Sequence, residues 1–163
     1  MADISYTNKA TERRGSPGNV PGKGDANSVK VLACATIELG VSASGATVKL
    51  GRIPSNARIL PTGLIYNDDL ASTGSPTLDI GLASVDSNIT SDPDAINNGI
   101  ALSSATTTTT IMADAANAGK RAWEFVNGQT TDPGGQLDIY ASVADASTTA
   151  AGTLAVEIYG YFD

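Results

Sequence analysis

The sequence predicts an all-β chain, an antiparallel sandwich or barrel of about eight strands preceded by an extended N-terminal arm. Three observations carry this. Apolar residues recur at every second position in several segments, the period of a half-buried strand. Those segments are bounded by turn formers such as Pro54-Ser55-Asn56, Asn67-Asp68-Asp69, Asn127-Gly128 and Asp132-Pro133-Gly134-Gly135. No rhythm of strands alternating with helices runs along the chain, which argues against a parallel α/β sheet.

Residues 1–28 read as the arm. The segment Gly15-Ser16-Pro17-Gly18-Asn19-Val20-Pro21-Gly22-Lys23-Gly24 offers no periodic apolar stripe to bury. The sandwich domain is expected over residues 29–163. Its first strand runs from Lys30 to Leu39, with Val31, Ala33, Ala35, Ile37 and Leu39 on one face. Thr47 to Ile53 is the second and Arg58 to Tyr66 the third, where Pro61 predicts an edge or a bulge. Leu78, Ile80 and Leu82 mark the fourth, with Gly81 permitting close approach of another backbone. Residues 84–104 read as loop-rich, with Asp92-Pro93-Asp94 opening a short helical turn. The Thr106–Thr110 run has the stiffness of a strand. The Ala-rich stretch from Ile111 to Gly119 suits one or two helical turns, and Trp123 to Val126 reads as a short strand. Leu137, Ile139, Ala141 and Val143 alternate in one late strand, and Leu154, Val156 and Ile158 in the last. A faint echo links Leu78-Asp79-Ile80 with Leu137-Asp138-Ile139, a pattern two halves of a doubled sheet would share.

Composition narrows the function. The chain of 163 residues has no histidine and one cysteine. Ser-His-Asp and Cys-His catalysis and the usual zinc sites are therefore excluded. Cys34 has no partner for an internal disulfide, and without a cationic neighbour in sequence it is expected to be a buried, inert thiol. No run reaches the roughly 20 apolar residues of a membrane helix. Met1-Ala2-Asp3-Ile4-Ser5 lacks the apolar core of a signal peptide, so synthesis in a cytoplasm is expected. With aromatic residues at 5%, the core must be largely Val, Ile, Leu and Ala.

The net charge of −7 is uneven. Residues 1–30 hold Lys9, Arg13, Arg14, Lys23 and Lys30 against Asp3, Glu12 and Asp25, a net +2, whereas residues 31–163 hold five basic and fourteen acidic residues, a net −9. An acidic body repels nucleic acid and anionic membrane, so neither is an expected partner. A slightly basic arm suits an acidic surface. Within it Ile4, Tyr6, Arg13, Arg14 and Val20 are the candidate partner-binding residues.

The remaining motifs carry little chemistry. Asp68-Asp69 and Asp92-Pro93-Asp94 are oxygen donors of the kind that bind Ca²⁺, yet Asp and Asn also recur in turns, where they bond the local backbone, and that reading is favoured. Two carboxylates for glycoside hydrolysis would need aromatics to stack a saccharide, and the chain has five Tyr and one Trp. Gly15-x-x-Gly18 and Gly22-x-Gly24 follow no strand and open no helix, so they match no phosphate loop. Gly119-Lys120-Arg121 beside Trp123 and Phe125 is the one basic cluster of the body. Its charges suit a strand end or a subunit boundary better than nucleic acid, and Trp123 suits a core anchor. No cofactor, metal or catalytic residue is assigned.

Four segments taken in order resemble a known class. They are Val48-Lys49-Leu50-Gly51-Arg52-Ile53-Pro54-Ser55-Asn56-Ala57-Arg58-Ile59-Leu60, Thr77-Leu78-Asp79-Ile80-Gly81, Ala118-Gly119-Lys120-Arg121-Ala122-Trp123-Glu124 and Asp132-Pro133-Gly134-Gly135-Gln136-Leu137-Asp138. Together they are similar to virion structural proteins of tailed phages, in particular small head decoration, or cement, proteins, over roughly residues 30–163. The resemblance implies a jelly-roll-like β-sandwich, a homotrimer on the outside of an icosahedral capsid, and the major capsid protein as partner. It implies no enzyme. The expected function is thus a virion protein on the capsid surface that stabilises the head by bridging capsomers. The alternatives are a tail- or fibre-associated virion protein and, in a different class, a carbohydrate-binding or depolymerising module.

Overall fold

The computed structural model describes residues 29–87, 89–126 and 130–162. Eight strands occur among them: β1 (Lys30–Leu39), β2 (Thr47–Pro54), β3 (Ala57–Asn67), β4 (Thr77–Ser84), β5 (Asp92–Ala101), β6 (Thr106–Thr110), β7 (Gln136–Ala144) and β8 (Gly152–Phe162). A 3-10 turn (Ala115–Asn117) and one short helix, α1 (Ala122–Phe125), separate β6 from β7. The strands form two four-stranded sheets, ordered β1-β8-β3-β6 and β2-β7-β4-β5. Every pairing is antiparallel. The fold is an all-β antiparallel sandwich.

The pairing is nested. β1 pairs β8, β2 pairs β7, β3 pairs β6 and β4 pairs β5, so the chain behaves as one long hairpin whose tip joins β4 to β5. Two further pairings, β3 with β8 and β4 with β7, knit the folded ribbon into sheets. The core between them is aliphatic. Its largest fully buried side chains include Ile53, Ile59, Ile65, Ile80, Leu82 and Leu137. Each contributes about 1.5–3 kcal/mol through burial, which is how a chain poor in aromatics holds together.

Glycines let the two layers meet. A Cβ on Gly51 of β2 would lie 2.6 Å from the Leu32 carbonyl oxygen and 3.2 Å from the Ala33 Cβ on β1. Both strands are bulged there, between Lys49 and Gly51 and between Val31 and Ala33. The bulges bend the two edges towards each other and close that flank of the sandwich. At Gly81 a Cβ would collide with the backbone of Asp92 and Pro93, which crosses directly over it. This is the close approach the sequence predicts.

Several expectations need correction. Residues 92–101 form strand β5, not loop and helical turn. The free edge of β4 supplies hydrogen bonds, and Pro93 is accommodated because four β5 residues bulge opposite Gly81 between the Ile80–Asn97 and Leu82–Asp92 pairs. Trp123–Val126 is not a strand. The Arg121 backbone N–H donates to the Glu124 carboxylate at 2.6 Å and caps α1 instead. Pro61 lies at bulges, as expected, but β3 is an inner strand and not an edge. Cys34 is exposed, not buried. The β1 bulge turns Leu32 inward beside Ala33 and leaves Val31 59% exposed, whereas Cys34 simply alternates with the inward Ala33 and Ala35 and so falls on the outer face. The Leu-Asp-Ile echo lies on neighbouring strands of one sheet, with Ile80 opposite Ala141 and Leu82 opposite Ile139.

Candidate functional site

The candidate partner-binding residues Ile4, Tyr6, Arg13, Arg14 and Val20 lie outside the described residues. A cleft of about 100 Å³ opens between the sheets, lined by Leu39, Ser42, Val48, Leu78 and Val143. Small-molecule pockets start near about 300 Å³ and place a few polar groups against an apolar wall. Among the described residues no helix is long and apolar enough to cross a membrane.

The outer face of the β2-β7-β4-β5 sheet is charged. Asp138 on β7 sits between two cations of β2. It accepts from Arg52 Nε at 2.6 Å and Nη2 at 3.0 Å, and pairs with Lys49 Nζ at 2.8 Å. Hydrogen bonding from Arg52, helped by Lys49, holds the Asp138 pKa down to about 2. Residues 49 and 52 of a regular strand would point to opposite faces. The bulge between Lys49 and Gly51 turns Arg52 to the side of Lys49, so both reach one carboxylate. Sequence reasoning did not find this cluster, because only the bulge makes the two cations neighbours. Gly51 was the available signal.

Further along the same face the character turns acidic. Tyr140 is pushed up by burial and by the charges of Asp92, Asp94 and Asp79. Burial and the adjoining Asp94 carboxyl raise Asp92. These acids are engaged locally. Asp94 accepts from Asn98 Nδ2 at 2.6 Å, and Asp79 accepts from the Gly99 backbone N–H at 2.8 Å. Asp68 accepts from Tyr66 Oη at 2.5 Å and from the Thr153 N–H at 2.8 Å, while Asp69 accepts from the Ala71 N–H at 3.1 Å. Hydrogen bonding from Tyr66 leads the causes that lower the Asp68 pKa. The carboxylates thus serve turns and strand ends, the role favoured from sequence.

The basic cluster meets a third cation. Arg58 of β3 forms an isolated bridge with Arg121 and donates to the Gly119 carbonyl, while Lys120 Nζ donates to Asn117 Oδ1 at 2.7 Å. Trp123 is 9% exposed, with its backbone N–H donating to the Ser55 carbonyl at 3.1 Å. It is a core anchor, as expected from sequence, and not a stacking platform.

Fold and surface together define an antiparallel β-sandwich with a charged outer face on the β2-β7-β4-β5 sheet. No protein-family model and no curated protein matches the chain. Two solved structures share its fold. A chain of the cyanophage Pam1 capsid asymmetric unit matches at a TM-score of 0.51 and 17% identity, over 91% of this chain and 94% of that one. A chain of the capsid of Ralstonia phage GP4 matches at a TM-score of 0.53 and 20% identity, over 89% and 90%.

Proposed function

We propose that this chain is a structural protein of a phage virion, and specifically a decoration protein on the outside of an icosahedral head. The observation that carries this is the end-to-end likeness to chains of two phage capsids. The nested strand pairing supports reading the sandwich as a jelly roll, the wrapping used by many capsid domains. The proposed partner is the major capsid protein, and the proposed state is a homotrimer, which suits three-fold or pseudo-three-fold positions on the shell. No catalytic step is involved. A cluster that bridges adjacent capsomers adds contact area, so rupture of the shell must also break those contacts.

The arm is proposed as the grapple. Ile4, Tyr6, Arg13, Arg14 and Val20 would make the contacts, with the basic residues docking on an acidic surface. Ordering 28 residues costs about 1–2 kcal/mol each in backbone entropy, so the arm needs a partner to supply contacts. The test is to add purified chain, whole or lacking residues 1–28, to undecorated heads and to measure occupancy and the temperature of shell rupture. Saturable occupancy by the whole chain, a raised rupture temperature and weaker binding of the truncated chain are expected. No binding by the whole chain would refute the proposal. Equal binding by both would refute the role of the arm.

A further inference from the structure

A sheet edge presents a row of unpaired N–H and C=O groups, and proteins that expose one guard it with charge, proline or bulges. The edge strands here are β1 and β6 in one sheet and β2 and β5 in the other. β1 carries Lys30, Glu38 and a bulge at its start. β2 carries Lys49, Arg52, Pro54 and a bulge. β5 carries Asp92, Pro93 and Asp94, is bulged twice, and gives its Ile96 carbonyl to the Ala113 N–H at 2.9 Å. β6 has no charge, proline or bulge of its own, and among the described residues only at Thr110 does a side chain engage its backbone, the N–H donating to Thr108 Oγ1 at 3.3 Å and the carbonyl accepting from that hydroxyl at 3.4 Å. The strand is five consecutive threonines, with Thr107, Thr109 and Thr110 exposed. Its pairing with β3 is irregular only because β3 holds the extra residue, between the Thr62–Thr110 and Ile65–Thr108 pairs. Threonine favours the extended backbone, so this edge is a ready template for one more strand.

We propose that β6 is completed by Ile4–Thr7 from the arm of a neighbouring copy, an inference that rests on the trimer and the arm proposed above. Ile4-Ser5-Tyr6-Thr7 alternates apolar and hydroxyl side chains and holds no glycine, proline or charge, which is the pattern of a strand laid on a half-buried face. Its length matches the short edge. The arm joins the body at β1, the opposite edge of the same sheet. That sheet is about 15 Å across at roughly 4.8 Å per strand spacing. The 22 residues from 8 to 29 reach up to about 75 Å, ample to cross it and enter the next copy. Donation from the β1 side of one copy to the β6 edge of the next is head-to-tail, and head-to-tail contacts close into rings such as trimers. Pairing of β6 with β6 would be two-fold and would yield dimers. Lys9, Arg13 and Arg14 lie between the donated strand and the body, where they remain available to the shell.

Hydrogen exchange at the Thr106–Thr110 amides, read together with mass by light scattering, tests this. In the full chain the outward-facing amides of β6 should exchange at least tenfold more slowly than in a chain lacking residues 2–7, and a peptide of residues 1–10 added to the shortened chain should restore the protection. Thr107→Lys with Thr109→Lys, which guards the edge at two exposed positions, should abolish the protection without lowering the melting temperature of the sandwich. Equal exchange in the full and shortened chains overturns the inference. If the full chain is still a trimer, only the strand donation fails. If it is a monomer, the trimer fails as well. Protection that persists in a monomeric full chain also overturns donation between copies, because the strand would then lie on its own body.

Discussion

Gly51→Ala probes the corner where β1 and β2 close the sandwich. The new Cβ would stand 2.6 Å from the Leu32 carbonyl oxygen and 3.2 Å from the Ala33 Cβ. The oxygen belongs to bulged backbone and has no rotamer by which to withdraw, so the strands must part by roughly half an ångström or more. Overpacking of this kind costs about 1–3 kcal/mol, and a backbone collision belongs in the middle or above, near 2 kcal/mol by that rough scale. For a domain of this size about 1 kcal/mol corresponds to about 4 °C, so the melting temperature should fall by about 8 °C. Parting the strands should also loosen the Arg52 grip on Asp138, because the same bulge sets both. The assay is thermal unfolding followed by circular dichroism, with Gly40→Ala as control, since nothing lies within 4 Å of a Cβ there. The control should shift by under about 2 °C. A Gly51→Ala melting temperature within 2 °C of the parent would refute the closed corner.

Other outcomes follow from the same structure. Ile80→Ala and Leu137→Ala, at fully buried positions on paired strands, should each cost about 2–5 kcal/mol in denaturant unfolding; a loss below about 1 kcal/mol would contradict the core described. Asp138 has a folded pKa depressed to about 2, so its pairing adds stability above the ordinary carboxylate range and loses it as pH falls towards that value. Asp138→Asn should therefore flatten the fall in melting temperature between about pH 4 and pH 2; an unchanged slope would remove the ion cluster from the account. Cys34 is on the outer face, so a water-soluble thiol reagent should label it fully in the native protein, and Cys34→Ser should leave melting unchanged; resistance to labelling would put it back in the core.

The strands that bury one regular face were legible in the sequence, because a period of two is a direct consequence of burial. β4, β7 and β8 show this plainly, with Leu78, Ile80 and Leu82 all inward. What escaped was whatever a bulge decides. One extra residue in β1 exchanged Val31 for Leu32. The outward position of Cys34 was legible in its alternation with Ala33 and Ala35, and the expectation of a buried thiol ran against that pattern. The bulges of β5 disguised a strand as turns, since Asp92-Pro93-Asp94 and Asn97-Asn98-Gly99 are residues that also make loops. The four residues of α1 were settled by a reciprocal cap from Glu124, against the β-propensity of Trp123 and Phe125. Of the proposed binding residues, sequence charge and composition gave the arm, and the structure added the unguarded edge of β6 that no propensity scale distinguishes from a covered one.

The central claim is the place of the chain on a phage head, and an image reconstruction of intact particles that carry it tests this most directly. The account expects three-fold clusters of the eight-stranded sandwich on the outer surface of the shell, over the junctions between capsomers, with N-terminal density running from each sandwich onto neighbouring protein. Density for the sandwich confined to the tail or fibres, or its absence from the particle, would contradict the account.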